Sequence, residues 1–436
     1  MEKLLAIAKA NSDKVEIFSL EQTINSVEFE NSKLKNIECK VQSGISLRLI
    51  KDGKLGFSYT KNLINREELL QNALDSLKGG VEATFDFPHT KDLPKLSTYN
   101  PSIENTSTNN FVDECNRVCK KLSSKTKGQI NVSAGSAIDK LRIINSSGTD
   151  ILLSTSNYFF YNTILYPNSY AAIHRVLYLK KFEKSPDEYL QFVLDTYNRS
   201  LKKVNPKGGK MKVLFMPETM YVLMWRLISA TSGKNLYQKQ SPVAEKIGEK
   251  IFDEKITIYD DPLNDKMPNA RSFDDEGTLC RYLPIIEKGR LKNFYYDLHY
   301  SKKMNTNATG HGYKSAMWGG DTVFLKPTPS LEHLHIKPGT KSFSELIKLM
   351  DKGIVVAGAL GAHSGNIQNG DFSIGLSPGL YVEHGEIVGH VKDAMIAGNI
   401  YNAMKNVIDI EDTCYPVSAG TFPAILFDNI SVATRR

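Results

Sequence analysis

Hydrophobic and polar residues alternate with a period of two through much of the chain, a pattern that predicts many short β-strands. The pattern is most apolar in residues 353–399, where glycines separate the apolar runs. The strands predicted there are Ile354–Gly358, Asp371–Leu376, Gly379–Val382 and Glu386–Val391. Because these runs carry few charges, we expect a central sheet that is buried on both faces. An alternative interpretation is a sheet whose free edge accepts an extended peptide.

The first half of the chain shows strand patterns flanked by helical ones. Five alternating strands are predicted between residues 15 and 60, and further strands between residues 129 and 179 predict a second sheet. The predicted helices are Glu2–Ala10, Asn65–Leu77, Asn109–Leu122 and Glu188–Lys203. Groups of strands followed by helices are typical of α+β proteins.

The clearest boundary in the sequence is the segment VNPKGGK at residues 204–210, which is predicted to be a linker. Residues 1–203 are predicted to form an N-terminal α+β region of antiparallel sheets with helices, either as one unit or as two subdomains, 1–80 and 105–203. Residues 211–436 are predicted to form a C-terminal mixed, β-rich domain with a short-stranded central sheet. The expected fold class is therefore α+β.

Composition excludes several classes of protein. The 436 residues are 41% hydrophobic and 24% charged, as in ordinary soluble globular proteins. The net charge is +7 but no run of five basic residues occurs, so no nucleic-acid partner is expected. No apolar run reaches 18 residues, and the N-terminus reads as an amphipathic helix instead of a signal peptide, so no membrane association is expected. The five cysteines are sparse, which favours reduced thiols and a cytoplasmic location.

Side chains that could bind a metal occur in two places. His384, Glu386 and His390 lie around one predicted hairpin arm and have the chemistry of zinc ligands. A plainer interpretation is that His384 occupies a turn position with positive φ. Cys115 and Cys119 are one helical turn apart, and buried packing is favoured over metal binding because no further ligand is near in sequence.

Other polar clusters allow a functional and a structural interpretation. The run Asp274–Asp275–Glu276 has the carboxylates for acid–base chemistry or cation binding, or is an acidic turn neutralised by Arg271 and Arg281. His311, between two glycines in the segment Thr309–Gly312, is either a ligand-facing side chain or part of a plain turn.

His333 and His335 alternate along one predicted strand. The charged neighbours Glu332 and Lys337 suggest that this strand is an exposed edge.

Several long segments together resemble the TldD/PmbA family, whose members were historically called modulators of DNA gyrase. The matching segments, in family order, are Ser43–Thr60, Ser272–Met304, Thr309–Gly312, Asn369–Asn399 and the run FPAILFDNISVA near the C-terminus. The resemblance implies an N-terminal α+β region and a C-terminal mixed sheet that holds a peptidase site.

In TldD members, an HExxxH motif on the helix after the first C-terminal strand binds zinc together with a cysteine near the C-terminus. The equivalent helix here is Tyr221–Gly233, and the motif positions fall at Arg226, Leu227 and Thr231. Cys414 lies about where the family's cysteine would be. An arginine repels a dication and a leucine cannot act as a base, so these positions lack the ligands that catalytic zinc requires.

The resemblance is therefore to the PmbA/TldE-like branch, the non-catalytic partner in a TldD–TldE zinc protease that acts on small or unfolded peptides. It implies no metal and no catalytic residue in this chain, and zinc in a TldD-like partner. The candidate residues that line a pocket or contact the peptide are Arg226, His311, Asp371, Ser373 and Cys414. Arg226 would either hold a peptide carboxylate or form a surface salt bridge.

Three alternative functions remain at this point. One is a stand-alone homodimer that binds peptides or another ligand without cleaving them. Another is a DNA gyrase-associated factor, which the lack of a basic stripe disfavours. The last is a divergent metalloprotease that uses His384, His390 and Cys414.

Overall fold

The structure is a computed structural model that describes residues 1–316, 319–417 and 420–434. It combines helices with antiparallel and mixed sheets, which confirms the predicted α+β fold class. None of the described helices has the length and apolar character needed to cross a bilayer.

The N-terminal region contains one six-stranded antiparallel sheet in the order β3-β2-β1-β4-β5-β6. Its strands are β1 (Lys14–Glu30), β2 (Lys33–Lys51), β3 (Lys54–Thr60), β4 (Gln129–Asn145), β5 (Asp150–Leu165) and β6 (Ala172–Leu179). Its helices are α1 (Glu2–Lys9), α2 (Arg66–Ser76), α3 (Thr108–Ser123) and α4 (Asp187–Arg199). The start of α2 is fixed by Asn65, whose side chain accepts a hydrogen bond from the Glu68 N–H.

This sheet differs from the sequence prediction in its continuity. β1 and β2 run unbroken for 17 and 19 residues, where the side-chain pattern predicts two shorter strands each. The polar middle of β1 stays extended because its backbone pairs with β2 on one side and β4 on the other. The pairing of β1 with β4 also joins the two predicted sheets into one, so the prediction of a second sheet is wrong. Residues 1–80 and 105–203 share this single sheet.

The described residues of the C-terminal domain form two larger sheets and a two-stranded one. Its strands are β7 (Lys203–Val204), β8 (Gly209–Phe215), β9 (Ile258–Asp260), β10 (Leu283–Glu287), β11 (Arg290–Leu291), β12 (Gly312–Tyr313), β13 (Thr328–Pro329), β14 (Leu334–Ile336), β15 (Gly353–Val356), β16 (Ala359–Leu360), β17 (Asp371–Leu376), β18 (Gly379–Glu383), β19 (Glu386–Val391), β20 (Ala394–Asn399), β21 (Val407–Ile410), β22 (Tyr415–Val417), β23 (Gly420–Phe422) and β24 (Ile425–Thr434). Its helices are α5 (Tyr221–Thr231), α6 (Gly233–Tyr237), α7 (Leu298–Lys303), α8 (Phe343–Met350) and α9 (Ile400–Lys405).

The ten-stranded sheet follows the order β16-β17-β20-β24-β8-β15-β18-β19-β7, with β21 paired to β24. The six-stranded C-terminal sheet follows the order β11-β10-β9-β14-β23-β22. All four residues of β15 are buried, as the apolar run predicts. The segment 204–210 is less independent than a linker, because Val204 pairs with β19 and Gly209 begins β8.

The two largest apolar cores among the described residues join these layers. One joins the N-terminal sheet, α3 and α4 to the ten-stranded sheet, with Phe111, Val193 and Leu214 among its fully buried members. The other packs α5 between the ten-stranded sheet and the six-stranded C-terminal sheet. The N-terminal region and the C-terminal domain therefore share a continuous interior.

Candidate functional site

Arg226, at the position of the first motif histidine, is fully buried on α5. Its Nε donates to the Asp371 carbonyl at 2.8 Å, its Nη1 to those of Val222 and Ala362 at 2.6 and 2.9 Å, and its Nη2 to that of Ser364 at 2.8 Å. Burial lowers the pKa of Arg226 to about 10, so the side chain stays charged at neutral pH. The alternative of a surface salt bridge is therefore wrong. The guanidinium instead ties α5 to the backbone that leads into β17.

The side chains at the other two motif positions, Leu227 and Thr231, also have structural roles. Leu227 is fully buried in the apolar core around α5. Thr231 is fully buried, and its hydroxyl donates to the Leu227 carbonyl at 2.8 Å. A guanidinium, an aliphatic side chain and a hydroxyl that is already bonded within the helix do not fit a zinc ion, which takes imidazole, thiolate or carboxylate ligands.

Asp371 and Ser373 lie at the start of β17, next to Arg226. The Asp371 carboxylate accepts a hydrogen bond from Asn399 Nδ2 at 2.9 Å, and the Asp371 N–H donates to the Asn366 carbonyl at 2.9 Å. The Ser373 N–H donates to the Ser364 carbonyl at 3.4 Å, and β16 pairs with the far end of β17. The outer edge of β17 therefore bonds to the chain itself, and the edge strands of this sheet are β16 and β7.

His311 is fully buried and packs beside the six-stranded C-terminal sheet. Its Nε2 lies 3.2 Å from Asp260 Oδ2, and its Nδ1 lies 2.9 Å from the Thr309 carbonyl. Burial alone would raise the pKa of Asp260, but the hydrogen bond and charge of His311 outweigh it and lower that pKa. The histidine–carboxylate pair is thus enclosed by protein.

His333 and His335 contradict the prediction of an exposed edge strand. β14 lies between β9 and β23, and both histidines are buried. Burial lowers the pKa of His333 to about 4, so the imidazole is neutral at physiological pH. Its Nε2 bonds to the Asn269 carbonyl at 2.7 Å. The charged neighbours mislead because Glu332 and Lys337 lie outside β14, before and after the strand, while the strand itself is paired on both sides.

Cys414 lies just before β22 and is only partly buried. Its Sγ donates a weak hydrogen bond to the Ile336 carbonyl at 3.3 Å. Burial raises the pKa of the thiol to about 12, so it is protonated at neutral pH and a poor metal ligand in this state. Arg226, Asp371 and Ser373 are thus brought together, whereas His311 and Cys414 have other neighbours.

The remaining candidate ligands have structural roles. His384 has a φ of +53° in the β18–β19 turn, which confirms the plainer interpretation of that residue. His390 Nδ1 bonds to the Ser200 carbonyl at 2.7 Å. Cys115 and Cys119 are buried in the core around α3, as predicted. Within the described ranges, no three His, Cys, Asp or Glu side chains are grouped so that they could hold a metal ion.

The sequence also contains a GxSxG pattern, at Gly375–Gly379. In hydrolases this pattern marks a nucleophile on a turn between a strand and a helix. Here it connects the strands β17 and β18, so it does not form that turn.

The acidic run Asp274–Asp275–Glu276 is buried and fully bonded. Asp274 Oδ2 accepts from the Gly312 N–H at 2.8 Å, and burial together with Glu276 raises the pKa of Asp274 well above its usual value. Asp275 pairs with Arg271 at 2.7 Å, which confirms the expected neutralisation by that arginine. The run forms the predicted acidic turn, closed by the Gly277 N–H on the Asp274 carbonyl at 3.1 Å, and this turn lies in the protein interior.

Glu276 continues into an ionic network that sequence reasoning missed. Arg48 of β2 places Nη1 2.7 Å from Glu276 Oε1 and Nε 2.9 Å from Glu16 Oε1. Lys314 donates to Ser46 Oγ at 2.7 Å, and burial next to Arg48 lowers the pKa of Lys314 to about 7. The signal in the sequence is that Glu16 and Arg48 each interrupt an apolar strand, and these two residues face each other across β1 and β2.

A cavity of about 530 Å³ lies between the N-terminal sheet and the C-terminal domain. The N-terminal sheet contributes Gln22, Asp139 and Thr155 to its wall, and the C-terminal domain contributes Arg271 and Tyr313 among others. The volume is typical of sites for small ligands. None of the five predicted pocket residues belongs to the described part of this wall.

Comparison with protein-family models gives a match to "PmbA/TldA metallopeptidase C-terminal domain" over residues 208–434, which is more than half of the chain. The chain belongs to the PmbA/TldD family. A second match, to "PmbA/TldA metallopeptidase domain 1", covers residues 15–78, so family segments occur on both sides of the cavity.

Relatives in the PmbA/TldD family match this chain over most of its length. A metalloprotease of Methanocaldococcus jannaschii is 24% identical over 405 residues, covering 88% of this chain and 86% of that protein. A metalloprotease PmbA homolog of Buchnera aphidicola is 23% identical over 435 residues, covering 94% of this chain and 91% of that protein. The crystal structure of TldE from Thermococcus kodakarensis has a TM-score of 0.89 with 23% identity and 99% of each chain covered, which establishes a shared fold.

Proposed function

We propose that this chain is a TldE-like, non-catalytic subunit that assembles with a TldD-like zinc metalloprotease. It would act in the cytoplasm and help to hold small or unfolded peptides for cleavage by its partner. The relatives named PmbA and the shared fold with TldE support this assignment. The zinc ion, the water that it activates and the general base would all be supplied by the partner.

The observation that carries the proposal is that the Arg226 guanidinium is bonded to the protein backbone. Its N–H groups bond to four backbone carbonyls, and a metal at this position would meet a fixed cation instead of a ligand. Leu227 provides no base and Thr231 no imidazole.

The cavity between the two regions is the place where a peptide would contact this subunit. Its wall combines apolar residues such as Leu141 with hydrogen-bonding groups such as Asn157. Arg271 offers charge there, although it is paired with Asp275. A cleft of this mixed character suits peptides of varied sequence.

The test is co-expression with a relative that carries HExxxH. We expect a stable hetero-assembly, zinc bound by the relative, and peptide hydrolysis that a chelator stops. A matched assembly in which both motif histidines of the relative are replaced by alanine should form but not cleave. This chain, purified alone, should bind no stoichiometric zinc. The proposal fails if the chain alone cleaves peptides in a chelator-sensitive way, or if no hetero-assembly forms.

A further inference from the structure

The face of the N-terminal sheet that lines the cavity carries two neighbouring rows of side chains. The members of the polar row are direct cross-strand neighbours on β1, β4 and β5, namely Gln22, Asp139 and Thr155. The apolar row lies two residues away on the same three strands and consists of Leu20, Leu141 and Leu153. Because side chains two residues apart share one face of a strand, both rows face the cavity.

Asp139 is the charged member of these two rows, and its hydrogen bonds come from neutral groups. Gln22 Nε2 donates to Asp139 Oδ1 at 2.7 Å, and Thr155 Oγ1 donates to Asp139 Oδ2 at 3.4 Å. Burial raises the pKa of Asp139, because it outweighs these hydrogen bonds and the charge of Arg271. Arg271 itself is paired with Asp275, and none of the ion pairs between described residues includes Asp139. A half-buried carboxylate of this kind gains from a cation that binds it.

The other charges of the described cavity wall do not change this sign. Arg271 Nη2 lies 2.7 Å from Asp275 Oδ1, so that pair is neutral as a whole. Lys314 Nζ donates to Ser46 Oγ at 2.7 Å, and its pKa of about 7 leaves it only partly charged at neutral pH. Glu332 adds a further carboxylate from the C-terminal domain. Carboxylates therefore exceed cations on this wall, which favours a positively charged ligand.

We propose that the cavity binds a basic side chain of the peptide, lysine or arginine, with its cation at Asp139 and its aliphatic stem over the leucine row. The two rows lie about 7 Å apart along the strands, a distance that the stem of a basic side chain can span. Lysine and arginine bury their stems along apolar surfaces while the charged head reaches a polar group. The inference rests on the proposed function, since the cavity is where a peptide would contact this subunit, and it adds the class of substrate.

The first measurement is calorimetric titration of the purified full chain with peptides that differ at one position. The peptides are Ala-Ala-X-Ala-Ala with both ends blocked, so that the side chain X carries the peptide's charge. Lysine at X should bind about tenfold tighter than its uncharged analogue norleucine, and glutamate should bind more weakly than norleucine. Diaminopropionic acid, a cation on a one-carbon stem, should bind more weakly than lysine because it cannot cover the leucines. Equal affinities for the lysine and norleucine peptides, or no binding of the lysine peptide, would overturn the inference.

The second measurement repeats the titration with variants of the chain. D139N removes the charge but keeps the size of the side chain and an oxygen that can accept from Gln22, so it should reduce the preference for lysine over norleucine to about one. The matched control is E21Q, which removes a charge from the exposed residue next to Gln22 on the opposite face of β1 and should leave the preference unchanged. Circular dichroism checks that both variants fold. A lysine preference that survives in D139N, or that E21Q removes as well, would contradict the role of Asp139.

Hydrolysis by the co-expressed assembly separates the failure of this inference from the failure of the proposed function. An assembly that cleaves the lysine and norleucine peptides with equal kcat/KM supports the proposed function and overturns the basic-residue inference. If no assembly forms, the proposed function fails, while the titrations on this chain alone still decide whether the cavity selects a basic side chain.

Discussion

At the scale of single residues, Arg226 has a structural role in stability that can be measured. Replacing it with methionine removes the donors to the buried Ala362 carbonyl and to the half-buried carbonyls of Asp371 and Ser364. Since each unsatisfied buried acceptor costs about 1–3 kcal/mol, we expect R226M to lower the free energy of unfolding by roughly 3–5 kcal/mol. Urea unfolding followed by circular dichroism measures this.

The matched control is Arg290, an exposed arginine whose Nη1 donates to the Gly248 carbonyl at 3.0 Å. R290M should change the unfolding free energy by less than about 0.5 kcal/mol, as surface substitutions usually do. If R226M left stability unchanged and instead abolished peptide binding, Arg226 would be a ligand-binding residue, and the structural role would be refuted.

Lys314 should make stability depend on pH. Its pKa in the folded chain is about 7, below the usual 10.5, because burial and the nearby Arg48 disfavour the charge. Between pH 7 and about 10 the unfolded chain therefore binds more protons than the folded chain at this group. Stability should rise with pH in that window, by up to about 1.4 kcal/mol per pH unit, and this slope should vanish below pH 7.

The comparison with K314M isolates this contribution, because tyrosines and cysteines that titrate in the same range are common to both proteins. The difference in unfolding free energy between wild type and K314M should change with pH only above about pH 7. A constant difference from pH 6 to pH 10 would show that Lys314 stays charged in the folded chain.

At the scale of elements, local patterns predict strands and helices well where side-chain periodicity and capping agree. The predicted helix Asn65–Leu77 matches α2 together with its two capping residues, and Asn65 fixes its start by accepting a hydrogen bond from the Glu68 N–H. β17 and β19 also match their predicted bounds. Apolar alternation and turn chemistry act within a few residues, so a single sequence contains this information.

Strand pairing and side-chain contacts between residues far apart in the chain could not be predicted from the sequence. The polar middle of β1 looks like a break, yet neighbouring strands on both sides hold it extended. The sequence leaves Arg226 as either a peptide-carboxylate contact or a surface salt bridge, and the fold instead places four backbone carbonyls around it. The same holds for Glu276 and Arg48, 228 positions apart, whose contact depends on how the N-terminal region meets the C-terminal domain.

The contact between Arg48 and Glu276 gives a testable prediction at the scale of elements. In R48M the carboxylates of Glu16 and Glu276 lose their buried partner, so we expect a loss of about 3–5 kcal/mol in thermal or urea unfolding. Arg142, in the same sheet but about one-third exposed, pairs with Asp150 and is the control, for which R142M should cost at most about 1 kcal/mol. Equal effects of the two substitutions would show that the buried network contributes no more than a surface ion pair.

At the scale of the whole molecule, the proposed function assigns peptide binding to this chain and hydrolysis to a partner. On the helix that would hold zinc, Arg226 makes structural contacts, and a cavity lies between the two regions. A cavity built from both regions of the chain would suit the proposed role of binding a peptide and positioning it. In the proposed assembly, hydrolysis would therefore fall to the partner.

The cavity supplies the corresponding prediction, made on the co-expressed assembly. Thr155 of β5 lines the cavity, so T155W should fill part of its volume and raise the KM for peptide hydrolysis about tenfold while the subunits still assemble. Leu152, on the opposite face of the same strand and 60% exposed, provides the control L152W, which should leave KM unchanged. If T155W cleaves peptides like wild type, the peptide does not pass through this cavity, and the subunit must support its partner by shape and assembly alone.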